Sequence, residues 1–193
     1  MKPYDDNIQT FAAMFDGYDQ ARARLETAVR GTEPAPAFIA LFEALNWAVA
    51  LDDRAGEHWA PEGKTHGFGW RDLVQDAYRM RALRFVRNSV HHQWSDALSL
   101  QGGGIPLPTS LPARFFAWRW RALSELPARP AKKSAKEKIR QAEEETEYRE
   151  KLEGRHVERT LQELGQAFYL LRMLLEPGSI PRRGYAPPME PER

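Results

Sequence analysis

The sequence predicts an all-α protein, a bundle of four to five helices that carries a charged helical arm. Apolar residues recur at steps of three or four along most of the chain, which is the period of a helix with one buried side. No stretch alternates strands with helices, so a parallel α/β fold is not expected. A run of strong helix formers with nearly balanced charge, at about 132–153, supplies the arm.

Glycine and proline separate the predicted segments from one another. The second predicted helix is apolar nearly all round, which is typical of the central helix of a bundle. The segment 114–121 alternates Phe and Trp with Arg, and is either a short strand or an extended segment packed on helices. The segments are, in order, an irregular or short helical stretch (1–16), helices at about 18–29 and 37–53, a loop (54–69), a long helix (70–98), an irregular stretch (101–112), the Trp/Arg segment (114–121), the charged arm (132–153) and a last helix (155–175).

The chain is predicted to form one domain. Residues 1–176 are expected to be a single helical domain that includes the charged helical insertion at about 130–154, and 177–193 a flexible Pro-rich tail. The 193 residues suffice for one hydrophobic core, and a hydrophobic content of 42% is ordinary for a soluble protein. The net charge of +1 directs the whole protein neither to nucleic acid nor to a membrane.

Cysteine content and the N-terminal stretch bear on the cellular compartment. The sequence contains no Cys, which excludes disulfides and Cys-ligated zinc. The N-terminus lacks the apolar core of a signal peptide, and no apolar run approaches the roughly 20 residues that span a bilayer. We therefore expect a cytoplasmic protein without a membrane partner.

The candidate site lies on the long helix, which has neither Gly nor Pro over 70–98. At about 100° per residue, its later apolar residues form one arc, made of Leu83, Val86, Val90, Trp94 and Ala97. Polar residues lie off this arc, namely Arg84, Asn88, His91, His92 and Ser95, with Arg87 on its flank. The polar group is therefore expected to face solvent, a groove or another subunit.

Arg87, Asn88 and His92 resemble the signature of the HEPN superfamily, all-helical domains with an R-x4-H motif. An Asn directly after the Arg is a common choice in that family, and a very apolar preceding helix also fits. The resemblance covers about 18–98, with the last helix closing the bundle. It implies a HEPN-like bundle. Many members are metal-independent ribonucleases that dimerise so that two motifs form one composite cleft, and others are non-catalytic binding modules.

Carried onto this chain, the resemblance implies that Arg87, Asn88 and His92 are catalytic. Beside them, His91 lies one turn from Arg87 and either binds substrate or packs at the subunit interface, and Arg84 is a further candidate for substrate binding. Metal-free RNA cleavage needs a base and an acid, and histidine, with an ordinary pKa of about 6.5, can act as either. The planar guanidinium of Arg87 can donate two hydrogen bonds to one phosphate and stabilise its developing charge. Asn88 would orient His92 or the phosphate. No metal and no cofactor are expected. Trp94 stands where some members have a modifiable Tyr, so that form of control is not expected.

Three functional hypotheses follow. The first is a dimeric ribonuclease, a toxin or defence effector, with RNA as substrate and an antitoxin or regulatory protein as partner. The second is a non-catalytic HEPN-like dimer that binds a nucleotide, RNA or a protein. The third is a structural protein whose arm, 132–153, docks a partner.

The simplest alternative gives these residues no catalytic role. Arg87 then pairs with an acidic residue such as Glu43 or Asp96, and His91 and His92 are surface histidines. The Trp/Arg segment, 114–121, either stacks on bases and neutralises phosphates or packs on the bundle with its charged ends in water.

Overall fold

The chain, in a computed structural model, is mostly helical, so the predicted class is confirmed in its coarse form, with one small antiparallel sheet added. The structure describes residues 4–66, 70–74, 80–93, 97–103, 115–128 and 134–175, and the predicted tail at 177–193 lies outside them. The elements are α1 (Tyr4–Ala28), α2 (Pro34–His66), α3 (Trp70–Leu73), α4 (Met80–Gln93), β1 (Leu98–Gly103), β2 (Phe115–Trp120), a 3-10 turn (Leu123–Glu125), α5 (Ala135–Lys151) and α6 (Val157–Leu175).

Helix α1 begins at Tyr4, much earlier than the predicted start near Tyr18. Phe11 and Phe15 lie one turn apart, are both buried, and stack with ring centroids 6.2 Å apart. Phe11 and Phe15 extend the apolar side of the helix toward its N-terminus. Further along the same side, Leu25 lies in the core. Packing of α1 along α2 buries this side.

Helix α2 continues to His66, so the prediction of a loop over 54–69 is wrong for 54–66. Residues 54–58 pack on α1: Ala55 is fully buried, and the His58 ring meets the edge of Phe11 with centroids 5.8 Å apart. Arg54 and Glu57 form an ion pair along the helix. These contacts outweigh the low helix propensity of Gly56, on which the loop prediction partly depends.

Gly56→Ala is expected to raise the free energy of unfolding by about 0.5–1 kcal/mol, because alanine is the better helix former and an added Cβ meets no atom within 4 Å. Urea denaturation measures the change. Gly154→Ala is the opposite control, since Gly154 has φ of 70° and alanine is strained there. A destabilised Gly56→Ala protein would contradict a helix through this position.

One stretch of α2, Pro34–His58, is long and apolar enough to cross a membrane by length and composition, with a hydropathy of 1.4. The prediction that no apolar run approaches spanning length is therefore wrong by this measure. A core helix passes the same test, so the finding is weak evidence for a membrane segment. Much of its apolar surface is buried inside the protein, as at Ala37, Leu41, Ala44, Leu45, Ala48, Leu51 and Ala55.

The predicted single helix over 70–98 is interrupted in the structure. Helix α3 ends at Leu73 and Val74 is a bend, α4 begins at Met80, and Leu98 is the first residue of β1. The segment 70–98 has no Gly or Pro, yet the helix does not extend to Leu98. Leu98 is buried and pairs with Trp120 of β2 in an antiparallel register, which requires an extended backbone. Trp94 and Ser95 lie outside the described residues.

The charged arm forms a helix, α5, that begins at a capping box formed by Ser134 and Glu137. Its first half is exposed, as predicted for a solvated arm. Its last turns belong to the core, because Tyr148 and Leu152 are fully buried against the bundle. Tyr148 packs on Phe85 of α4, with ring centroids 5.1 Å apart.

Helix α6 confirms the predicted last helix and closes the core. Phe168 is the centre of an aromatic cluster in which its ring contacts Phe15, Tyr18 and Trp70, at centroid distances of 6.4, 4.7 and 6.0 Å. The hydroxyl of Tyr18 is buried and has no hydrogen-bond partner among the described atoms. Burial raises the pKa of Tyr18 far above its ordinary value, so this side chain remains neutral.

Candidate functional site

Of the predicted polar side of α4, the structure describes the side chains of Arg84 and Asn88, with Arg87 on its flank, and the second helix covers part of them. Arg84, Arg87 and Asn88 are each half-buried, while the opposite side of α4 faces the core. That buried side is broader than predicted, since Phe85 and Ser89 are also buried and the Ser89 hydroxyl donates a hydrogen bond to the Phe85 carbonyl. The two arginines therefore face α2 rather than open solvent.

Arg84 is occupied by two carboxylates of α2. Its Nε donates to Asp52 Oδ2 at 2.5 Å, and its Nη2 donates to Asp53 Oδ1. Burial by itself would lower the pKa of Arg84, but the hydrogen bonds and charges of Asp53 and Asp52 outweigh burial and raise that pKa above its ordinary value. This guanidinium, predicted to bind substrate, is thus already neutralised within the chain.

Asp52 joins three helices through one buried carboxylate, whose side chain is 0% exposed. Its Oδ1 accepts hydrogen bonds from Trp70 Nε1 at 3.0 Å and from Arg71 Nε at 2.8 Å, both on α3. Its Oδ2 accepts from Arg71 Nη2 and from Arg84 Nε on α4. A buried carboxylate needs such partners, and here they set the position of α4 on α2.

Arg87 has a different environment, since its partners are neutral amides. Its Nε donates to Asn46 Oδ1 of α2 at 3.1 Å, and its Nη1 donates to Asn88 Oδ1 at 3.2 Å. Glu43, one of the two acidic partners considered for Arg87, instead pairs with Arg24 at 2.7 Å. The other, Asp96, lies outside the described residues.

The charge of Arg87 is therefore not neutralised by any carboxylate in the described part of the chain. The two arginines differ in this respect although they are one turn apart on the same helix. Arg84 holds the helices together, whereas Arg87 presents a positive charge that an external anion can meet.

The two histidines of the motif follow Arg87 on the same helix. The backbone of His91 and His92 is helical within α4, but their side chains lie outside the described residues. Helix spacing places His91 one turn beyond Arg87 and His92 one turn beyond Asn88.

Sequence reasoning did not include Asn46 in the site. In the sequence, Asn46 and Asp52 are distinguished only as polar residues of a very apolar helix, and Glu43 is in addition a possible partner of Arg87. Each of the three binds an arginine on another helix. A polar side chain on such a helix is costly to bury alone, and this signal could have indicated a partner on a neighbouring helix.

The Trp/Arg segment forms strand β2 over Phe115–Trp120, and its two tryptophans pack inside the protein. Trp118 and Trp120 are buried, and their indole nitrogens donate to the Gly31 carbonyl and to the Thr160 hydroxyl, both at 2.9 Å. Arg121 donates from Nε to the Leu98 carbonyl at 2.9 Å. These indoles cannot stack on bases without unfolding, so the packing interpretation holds for them.

A groove of about 290 Å³ lies between α4 and α5. Its lining carries both signs of charge, from Arg81, Arg84, Arg140, Glu143 and Glu144. Arg81 pairs with Glu147 at 3.1 Å, and Arg140 with Glu144 at 3.8 Å. Because its charges are mostly paired, this groove is a weaker anion site than the surroundings of Arg87.

No group of three or more His, Cys, Asp or Glu side chains able to hold a metal ion occurs among the described residues. Comparisons of the chain with protein families, with curated proteins and with solved structures find no match.

Proposed function

We propose that the protein is a metal-independent HEPN-type endoribonuclease of the cytoplasm, a toxin or defence effector that acts as a dimer with a composite site. The observation that carries this proposal is the environment of Arg87. Two amide oxygens hold its guanidinium, no described carboxylate neutralises it, and the motif histidines follow it on α4.

In the proposed reaction, Arg87 binds the scissile phosphate and stabilises the charge that develops on it in the transition state. One His92 removes the proton from the 2′-hydroxyl, which attacks the phosphorus. A second His92, from the other subunit, protonates the departing 5′-oxygen. Asn88 holds the guanidinium from its own helix. Arg84, paired with Asp52 and Asp53, positions α4 and supports the site indirectly.

RNA cleavage in the presence of EDTA tests the proposal. His92→Ala is expected to lower the cleavage rate by about 10²–10⁴-fold, because it removes the general base and acid. Arg87→Ala is expected to lower it by about 10²–10³-fold through lost stabilisation of the phosphate charge. A fluorescent RNA with a defined cleavage product gives both rates.

Arg159→Ala is the matched control, since Arg159 is an exposed arginine of α6 that pairs along its own helix, with Glu163. It should cleave at the wild-type rate. A His92→Ala protein that cleaves as fast as wild type would remove the catalytic assignment. RNA binding without cleavage by the wild-type dimer would replace it with the non-catalytic alternative.

A further inference from the structure

The orientation of two side-chain amides beside Arg87 follows from the chemistry of the guanidinium. Arginine has hydrogen-bond donors and no acceptor, so an amide next to it must present its oxygen. Both Asn46 and Asn88 do so, at 3.1 and 3.2 Å. The NH₂ group of each amide is thereby directed away from the guanidinium, and neither amide can flip without placing donor against donor.

The result is a cluster made of donors alone. Within the part of the chain that the structure describes, neither amide nitrogen nor Nη2 of Arg87 has a hydrogen-bond partner. The side chains of Asn46, Arg87 and Asn88 are each half-buried, so none of the three is sealed inside the core. The surroundings of Arg87 thus hold one positive charge and three donor groups, contributed by α2 and α4, that have no partner among the described residues.

We propose that Asn46, together with Arg87 and Asn88, forms a binding site for a phosphate oxyanion of the RNA backbone. This inference rests on the proposed function for its ligand, and it adds a residue of α2 to a motif that otherwise lies wholly on α4. Asn46 has two roles here: its oxygen fixes the guanidinium, and its NH₂ group donates to an oxygen of the phosphate. Hydrogen bonds from a guanidinium to phosphate are strong because both partners are charged.

The contrast with Arg84 explains why the anion site forms at Arg87. Around Arg84, the carboxylates of Asp52 and Asp53 satisfy the donors and would repel a phosphate. Around Arg87, the corresponding partners are amides. Their oxygens accept hydrogen bonds from part of the guanidinium, and their NH₂ groups add donors without adding negative charge. An Asn at position 46 rather than an Asp is thus the feature that keeps the site open to an anion.

Asn46→Asp is the direct test, because it preserves size and the oxygen that accepts from Arg87 Nε, while it replaces the donor by a negative charge. The probes are inorganic phosphate and a short single-stranded 2′-deoxy oligonucleotide, which has no 2′-hydroxyl and cannot be cleaved by the proposed reaction. We expect affinity for both to fall by about 10- to 100-fold, as measured by calorimetry with the full chain. The thermal midpoint should not fall, since the new carboxylate takes over the bond to Arg87.

Gln166→Glu is the control for charge, because it converts an exposed amide of α6 to a carboxylate and should leave both affinities unchanged. If Asn46→Asp does not fold, Asn88→Asp makes the same change on the other side of Arg87 and carries the same expectation. Unchanged affinity in the folded Asn46→Asp variant, or an equal loss in Gln166→Glu, overturns the inference. A protein that cleaves no RNA but loses phosphate binding in Asn46→Asp contradicts the proposed function alone.

Discussion

Asp52→Asn is expected to lower the free energy of unfolding by about 3–5 kcal/mol, because it breaks a buried ion cluster and leaves two guanidiniums partly uncompensated. The Asp52 side chain is 0% exposed, while those of Arg71 and Arg84 are 33% and 28% exposed. The new amide would also set an NH₂ group against donors. Urea denaturation followed by circular dichroism measures the loss.

Asp53→Asn is the matched control for this variant. Asp53 pairs with the same Arg84, but its side chain is 60% exposed, and the expected loss is below about 1 kcal/mol. If the two substitutions cost the same, the carboxylate of Asp52 does not have the structural role assigned to it.

Tyr148→Ala is expected to be the most damaging change in α5, with a loss of about 3–5 kcal/mol from the cavity that it leaves. Tyr148 is fully buried, packs on Phe85, and donates a hydrogen bond from its hydroxyl to the Arg121 carbonyl at 2.6 Å. The expected signature is a lower urea midpoint together with loss of helical signal from α5.

Ile139→Ala serves as the comparison on the same helix, because Ile139 is 61% exposed and its truncation should change stability by less than about 0.5 kcal/mol. Equal effects at the two positions would mean that α5 does not pack on the bundle. The same packing bears on the third hypothesis, in which the arm, 132–153, is a separate docking element, because deletion of such an element should leave the bundle folded. Removing 132–153 removes Tyr148 and Leu152 from the core.

Local periodicity predicted the helices well where their own residues form the buried side. The last helix, with Val157, Leu161 and Leu164 in the core, was placed to within two residues at its start. Helix ends that depend on contacts with residues distant in the sequence could not be predicted from local periodicity. Ala55 and His58 keep α2 helical because α1 lies beside them, and Leu98 leaves the helix because Trp120 pairs with it.

Only part of the candidate site could be predicted from the sequence, again because local periodicity carries no information about distant contacts. Helix spacing placed Asn88 off the apolar arc of one helix and Arg87 on its flank, and in the structure both side chains are half-buried. It contained no information about the neighbouring helix, so it could not distinguish Arg84, which faces Asp52, from Arg87, which faces Asn46. That distinction depends on how α2 and α4 pack, and the residues of α4 alone do not determine this packing.

The aromatic cluster around Phe168 affects how the chain folds during its synthesis on the ribosome. Phe15 and Tyr18 leave the ribosome early, whereas the ring that covers both of them belongs to α6 and follows about 150 residues later. For most of synthesis α1 thus exposes a hydrophobic surface that α2 alone does not fully shield. Cellular yield should therefore depend on chaperones that hold nascent chains until translation has passed α6.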